Sequence, residues 1–210
     1  GVLFLDELLE FDKITLEALR QPIEDKKITI TRVKRTNQYP CDFLLIACCN
    51  PCPCGNYNNP YKTCKCNEYR IKSYLGKAST PLLDRFDLFV EMHPSNLEEI
   101  IGNSFSEDSE DIRARVMESH KIQQMRFKDE NIMFNDAIAS QQIDKYCKLT
   151  SDAQEFMYMV FKQNRLSVRS YHKLLKVSRT IADLDNSQNI DLNHLSEAIS
   201  FRKPLEKYWG

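Results

Sequence analysis

The chain has 210 residues, of which 42% are hydrophobic and 28% are charged, and its formal net charge is −1. The length allows one large domain or two small ones, and the near-neutral charge excludes a whole-chain field that draws the protein onto nucleic acid or anionic membranes. Only five glycines occur, and no two of them have the spacing of a phosphate-binding loop, so the chain alone does not cradle a nucleotide's phosphates.

The first predicted element is a buried strand that ends in two acids. Residues 2–5 are all apolar, which is typical of a strand in a parallel sheet, and Asp6 and Glu7 follow directly. At the edge of such a sheet, the first carboxylate is suited to hold Mg²⁺ and the second to deprotonate a water molecule that attacks a phosphate. The alternative is a strand that ends in solvated acids.

A capped helix and a basic hairpin are expected next. Asp12 is predicted to cap a helix that Pro22 ends or kinks, and residues 28–33 and 37–43 are predicted as the two strands of the hairpin. Five cations lie in this region: Lys26, Lys27, Arg32, Lys34 and Arg35. The last two lie where the hairpin turns, and a basic tip is suited to bind a DNA backbone independently of its sequence. The alternative is a solvated, charged turn.

A second buried strand is predicted over residues 43–47, and the polar amide of Asn50 follows it. A neutral side chain at this point is suited to hydrogen-bond a γ-phosphate, or to hold the attacking water, without adding negative charge. The alternative is a structural role in the turn before Pro51.

Cysteine is concentrated in one part of the chain: six of the eight residues lie between positions 48 and 66. Four of them form two C-x-C pairs, separated by nine residues, in a polar loop: Cys52, Cys54, Cys64 and Cys66. Four thiolates suit a tetrahedral structural Zn²⁺ ion, and the alternatives are unliganded thiols or a redox pair. The other four cysteines are expected to pack as thiols: Cys41, Cys48, Cys49 and Cys147.

Two arginines are further candidates for nucleotide contacts. Arg85 lies on a predicted short helix before a third predicted strand, residues 88–90, from which it can reach a neighbouring subunit's nucleotide as an arginine finger. The alternative is an ion pair with Asp84 or Asp87. Arg169 lies at the start of a predicted helix, either as a second phosphate sensor or as part of a solvated basic face.

The composition divides the chain into an α/β part and an all-α part. Residues 1–94 mix strands with helices, residues 95–111 form a polar, acidic linker, and residues 112–210 carry helical periodicity throughout. No segment directs the chain to a membrane: no apolar run approaches the roughly 18 residues of a span, and the N-terminus lacks a signal-peptide pattern. We therefore expect a cytoplasmic protein, and because it starts with Gly1 rather than Met, a piece of a longer one.

Several stretches together resemble one family, the magnesium-chelatase-like AAA+ ATPases of the bacterial competence protein ComM (YifB) group. The resemblance is carried by residues 1–8, 16–22, 50–55, 81–88, 167–169, 175–177 and 179–184. It implies the C-terminal part of an AAA+ core, with an inserted β-hairpin in a parallel sheet, followed by a helical lid. The family's Walker A loop and its N-terminal Lon-protease-like domain are absent from the chain.

The resemblance also implies roles for individual residues. Asp6 and Glu7 correspond to the Walker B pair, Asn50 to sensor 1, Arg85 to the arginine finger and Arg169 to sensor 2. The implied whole protein is a hexameric, ATP- and Mg²⁺-dependent DNA motor for branch migration in natural transformation and recombination, and we expect the fragment alone to be inactive. The alternatives are a magnesium-chelatase motor subunit and a non-catalytic, zinc-containing binding module.

Overall fold

The computed structural model describes residues 1–32, 35–92, 107–163 and 166–210. The chain divides into two compact units, of which unit 1 comprises Gly1–Pro94 with Pro204–Gly210, and unit 2 comprises Ser95–Lys203. An α/β part is thus followed by a helical part, which confirms the predicted order of fold classes.

The described strands are β1 (Val2–Leu5), β2 (Lys27–Arg32), β3 (Arg35–Pro40) and β4 (Leu44–Ala47). The α-helices are α1 (Lys13–Ala18), α2 (Arg20–Asp25), α3 (Glu68–Leu75), α4 (Thr80–Leu83), α5 (Ser109–Arg126), α6 (Ile143–Tyr146), α7 (Ser151–Gln163), α8 (Val168–Leu184), α9 (Leu192–Ser200) and α10 (Lys203–Trp209). Short 3₁₀ helices span Leu8–Glu10, Asn135–Ala137 and Ser140–Gln142. Within the described ranges, no helix combines the length and the apolarity that crossing a membrane requires.

β1 and β4 form a two-stranded parallel sheet, as their apolar sequences predict. The prediction that both strands are buried is wrong for one face, because alternate side chains of a strand point to opposite faces and only one face is packed. Leu5 and Ala47 lie against the cluster of Leu8, Leu16 and Leu82. The opposite face leaves four apolar residues exposed: Val2, Phe4, Leu44 and Ile46.

The hairpin is confirmed, with β2 antiparallel to β3 and Ile28 opposite Tyr39. Its second strand starts at Arg35, two residues before the predicted start, and ends at Pro40. The third predicted strand, residues 88–90, is wrong: the structure assigns no strand there, and Leu88 and Val90 remain 49% and 64% exposed. Their backbone groups pair with no neighbouring strand in the described part of the chain.

Asp12 caps α1 as predicted, because its carboxylate accepts hydrogen bonds from the Thr15 amide at 2.9 Å and from the Thr15 hydroxyl at 2.6 Å. Pro22 does interrupt the helix, but the break comes earlier than expected. A proline ring clashes with the carbonyl four residues before it, here that of Ala18. α1 ends at Ala18, and Pro22 lies in the first turn of α2.

Unit 2 is built around α8, which contacts α5, α6 and α9. Its core contains Met157, Leu174 and Leu195, each at most 3% exposed. The predicted domain bounds need two corrections. α5 already begins at Ser109, inside the predicted linker 95–111, of which residues 95–106 lie outside the described ranges. Residues 204–210 belong to unit 1, because the side chains at positions 205, 208 and 209 pack on its core.

Candidate functional site

The parallel pairing of β1 with β4 brings the residues that follow each strand to one edge of the sheet. Leu5 lies opposite Ala47, and the Cys48 amide extends the pairing by donating to the Leu5 carbonyl at 3.0 Å. One residue further along β1, Oδ1 of Asp6 accepts a hydrogen bond from the Cys48 thiol at 2.8 Å. The acids and the amide that were singled out in the sequence therefore follow neighbouring strands at a common edge.

The exposed carboxylate of Asp6 is suited to hold Mg²⁺. Its Oδ1 accepts hydrogen bonds from the Cys48 thiol and from the Glu7 amide at 2.9 Å, whereas its Oδ2 makes none within the described ranges. A carboxylate oxygen of this kind is the hard ligand that Mg²⁺ prefers. The hydrogen bond to Asp6 also raises the pKa of the Cys48 thiol, so that the sulfur stays a protonated donor at neutral pH.

The backbone at Glu7 is held in an unusual conformation. Its φ of 50° and ψ of 48° lie in the left-handed region, which costs a residue other than glycine about 1–3 kcal/mol. The turn is anchored by the next residues, because Leu8 and Leu9 are buried and the Leu8 amide donates to the Cys48 carbonyl at 2.8 Å. The exposed Glu7 side chain therefore projects from a fixed point beside Asp6.

Asn50 is exposed after β4, and its side-chain amide lies beside Gly55. Gly55 has a φ of 74°, where glycine is favoured, and a Cβ added there would lie 3.7 Å from Oδ1 of Asn50. The amide of Gly55 donates to the Cys52 carbonyl at 2.9 Å. Asn50 thus sits against the first turn of the cysteine loop.

Arg85 is held within its own chain. Its side chain is only 10% exposed, forms an ion pair with Glu24, and donates a hydrogen bond to the Pro81 carbonyl. The ion-pair partner is Glu24, whereas the sequence suggested Asp84 or Asp87. Its Nε is buried and has no hydrogen-bond partner among the residues that the structure describes, and its role as an arginine finger stays a prediction.

The second arginine, Arg169, lies exposed in the first turn of α8. The Ser167 side chain caps this helix by accepting from the Ser170 amide at 3.1 Å. Arg169 belongs to unit 2, and Asp6 and Glu7 belong to unit 1. Its role as sensor 2 therefore stays a prediction.

The hairpin is exposed along both described strands. Because strand residues alternate between faces, the register puts three basic or aromatic side chains on one face: Arg32, Arg35 and Tyr39. Arg35 is paired with Arg32, while Lys34, the other predicted DNA contact, lies outside the described residues. The repulsion between the paired cations favours an anionic partner on this face.

The sulfur atoms of Cys52, Cys54, Cys64 and Cys66 lie within 4.8 Å of one another. Cys52 is 3.4 Å from Cys54, and Cys64 is 3.7 Å from both. A tetrahedral Zn²⁺ ion with Zn–S bonds of about 2.3 Å requires sulfurs about 3.8 Å apart, so this donor set fits the metal. Hydrogen bonds from the backbone, led by the one at Lys65, lower the pKa of the Cys54 thiol to about 6, which favours a thiolate.

Two of the four other cysteines are not packed as predicted. Cys48 and Cys49 are exposed, Cys41 is half-buried and Cys147 is buried. The exposure follows from their position beyond the end of β4, where the sheet stops covering the chain. The contact of Cys48 with Asp6 was not predicted from the sequence. It could have been, because both residues directly follow strands that were predicted to be parallel.

The sequence matches known proteins along almost the whole chain. Residues 1–100 match the family model described as magnesium chelatase, subunit ChlI, and residues 106–202 match the model of its C-terminal part. The competence protein ComM of Haemophilus influenzae is 40% identical over 204 residues, which cover 96% of this chain and 39% of that protein.

Two further relatives extend the comparison. YifB of Escherichia coli is 40% identical over 204 residues, covering 96% of this chain and 39% of that protein. Rv2897c of Mycobacterium tuberculosis is 32% identical over 207 residues, covering 97% of this chain and 40% of that protein. The chain belongs to the magnesium-chelatase-like family that includes ComM and YifB, and it spans about 39% of the length of these ComM and YifB relatives.

Proposed function

We propose that this chain is the hydrolytic and sensing part of an ATP-dependent DNA motor. One observation carries the proposal: the parallel register of β1 and β4 puts Asp6, Glu7 and Asn50 after neighbouring strands at the same edge of the sheet. Membership in the magnesium-chelatase-like family supports an ATPase, and the relative named competence protein ComM supports a role in competence.

Each residue has one task in this proposal. Asp6 holds Mg²⁺ through its available oxygen, and the bound ion neutralises charge that develops on the phosphates. Glu7 takes a proton from the attacking water, and Asn50 orients that water or the γ-phosphate through its neutral amide. Arg169 senses the phosphates from the helical unit.

Arg85 acts on the nucleotide of a neighbouring subunit, so the whole protein works as an oligomeric ring, which we propose to be a hexamer. An arginine that completes a neighbour's site contributes about 10³–10⁵ to the rate in ATPases and GTPases of this kind. Arg85→Ala in the full-length protein is therefore expected to abolish hydrolysis while leaving nucleotide binding intact.

DNA is the proposed substrate of the motor because of the basic and aromatic face of the hairpin. Cationic side chains follow a phosphate backbone, and Tyr39 offers a ring on which a base stacks. Lys34 and Arg35 are proposed to contact the backbone at the tip. Charge reversal at both positions in the full-length protein is expected to reduce DNA affinity at low salt, and unchanged affinity removes this assignment.

A structural Zn²⁺ ion is the second proposed metal, held by the four clustered cysteines. The cluster lies on the core of unit 1, where Cys52 is buried and the two half-buried sulfurs of Cys64 and Cys66 pack beside it. Metal binding would fix a loop with little apolar content. We propose a cytoplasmic location, because thiols stay reduced there and remain available to a metal.

The decisive experiment is ATP turnover by the full-length protein with and without DNA. Glu7→Gln is expected to bind ATP and trap it unhydrolysed, whereas the matched exposed variant Glu10→Gln retains turnover. DNA-stimulated turnover supports the motor. Turnover that responds to a porphyrin and Mg²⁺, and not to DNA, supports the chelatase-type subunit that the family model's description favours. Absence of any turnover supports the non-catalytic module.

A further inference from the structure

Unit 2 contains an open cavity of about 450 Å³ that is remote in sequence from the acids of unit 1. Its lining includes four cations and two amides: Arg126, Arg179, Lys145, Lys148, Gln188 and Asn189. This volume lies within the range of about 300–1,000 Å³ that small-molecule sites occupy. The lining is the type that recognises an anion.

The two arginines of this cavity both contact one carboxylate, that of Asp183. The Asp183 side chain is fully buried. Both of its oxygens accept hydrogen bonds from Arg126, one of them at 2.7 Å, and it accepts another from Nε of Arg179 at 3.0 Å. The Arg179 side chain is only 1% exposed and also donates to the carbonyls of Ser187 and Gln188 at 2.5 Å and 2.8 Å. Neutral carbonyls orient this guanidinium without cancelling its charge.

The charges around the cavity do not balance within the described residues. Asp183 offsets one of the two guanidinium charges. Glu130 offsets the charge of Lys145, because it accepts a hydrogen bond from the Lys145 ammonium at 2.8 Å. Lys148 makes no side-chain hydrogen bond or ion pair within the described ranges. A surplus of about two positive charges remains, and one of them is on a buried or nearly buried arginine. An unmatched buried charge is costly unless a counter-ion approaches.

Burial shifts the ionisation of two groups near this cavity. Burial lowers the pKa of Arg179, and the charge of Arg126 lowers it further, against the opposing effect of Asp183. Burial raises the pKa of Cys147 to about 11, although Arg179 and Arg126 act in the opposite direction. The two arginines thus act on the Cys147 thiol, whereas the strongest charge effect on the Arg179 guanidinium is that of Asp183.

We propose that this cavity is a second anion site, which binds a phosphate-bearing ligand through the exposed parts of Arg126, Lys145 and Lys148. Asp183 holds the Arg126 guanidinium in place as a fixed positive charge, and each lysine adds an adaptable point charge. The side-chain amides of Gln188 and Asn189 supply neutral donors. The phosphate belongs either to a free nucleotide or pyrophosphate, or to a nucleic-acid backbone.

The site is tested with the 210-residue chain by isothermal titration calorimetry and by NMR of backbone amides, without added Mg²⁺. The probes are inorganic pyrophosphate and a ten-nucleotide oligothymidylate. Lys148→Glu reverses the exposed lining charge without touching the buried network. Lys162→Glu, at an exposed lysine of α7 in the same unit, is the matched control.

Pyrophosphate is expected to shift the amide signals of Lys148, Gln188 and Asn189. Lys148→Glu is expected to weaken binding about tenfold, which corresponds to about 1.4 kcal/mol, while Lys162→Glu changes it less than about twofold. If the oligonucleotide shifts the same signals, the phosphate comes from a nucleic-acid backbone; if only pyrophosphate does, it comes from a free ligand. Unshifted cavity signals with both probes, or equal weakening by the two variants, overturn the proposal.

Discussion

Replacement of Asp183 by asparagine is expected to destabilise unit 2 severely, although the two side chains have nearly the same volume. The carboxylate is 0% exposed and accepts hydrogen bonds from Arg126, Arg179 and Asn135, the last at 2.8 Å. Its removal leaves two guanidiniums without a counter-charge among the residues that they contact. Breaking a buried pair from one side costs about 3–5 kcal/mol, a large part of the about 5–15 kcal/mol that stabilises a domain.

The loss is measured by thermal denaturation, followed by far-UV circular dichroism at neutral pH. A change of about 1 kcal/mol moves the melting temperature of a domain of this size by about 4–8 °C, so a decrease of at least roughly 12 °C is expected. Asp152→Asn, at an exposed aspartate of α7, is the control and leaves the melting temperature nearly unchanged. The single tryptophan, Trp209, donates to the Leu75 carbonyl at 2.9 Å and reports on unit 1 separately. A melting temperature of Asp183→Asn equal to that of the control would refute the charge accounting at this network.

Three further predictions concern the metal, the acid range and hydrolysis. Protein purified without chelator should contain about one zinc per chain by elemental analysis. The Cys54→Ser variant should lose the metal, and the control variant Cys41→Ser should keep it. Well under one zinc per unmodified chain contradicts the site. The Lys145 hydrogen bond lowers the pKa of Glu130 from 4.5, so the stability that this carboxylate contributes is present above pH 4.5 and is lost as the pH falls through its lowered pKa. Glu130→Gln should therefore flatten the dependence of the melting temperature on pH in that range, and an unchanged slope counts against the pair. The chain alone should hydrolyse no ATP in a coupled phosphate-release assay, and Mg²⁺-dependent turnover that Glu7→Gln removes would be contrary evidence.

Features that depend on local sequence pattern were predictable. The apolar run of β1, the alternation in β2 and the capping aspartate before α1 each identify their element, because strand periodicity and helix capping involve residues close in sequence. The parallel sheet and the hairpin followed from the same patterns. The four-cysteine cluster was predictable because two C-x-C pairs in one short polar loop are close enough in sequence to bind a single metal ion.

Burial of the sheet was not predictable from the same patterns. An apolar strand sequence is compatible with packing on one face or on both, and the choice depends on what lies over each face. Phe4 and Ile46 are as apolar as Leu5 and yet remain 58% and 44% exposed on the uncovered side. Likewise, residues 88–90 have strand-like composition, but a strand forms only where a neighbour accepts its backbone hydrogen bonds.

Polar partners that are distant in sequence could not be predicted from sequence patterns either. Glu24 lies 61 positions before Arg85, and no periodicity connects the two residues. An arginine-finger role for Arg85 is compatible in physical terms with its ion pair to Glu24. A charge-assisted hydrogen bond to Glu24 holds the guanidinium while no phosphate is near, and its buried Nε donates to no acceptor within the described ranges. Exchange of that carboxylate for a neighbour's phosphate replaces one charged acceptor by another, so the transfer does not leave the guanidinium unpaired. An arginine finger is therefore consistent with an intramolecular ion pair in the isolated chain.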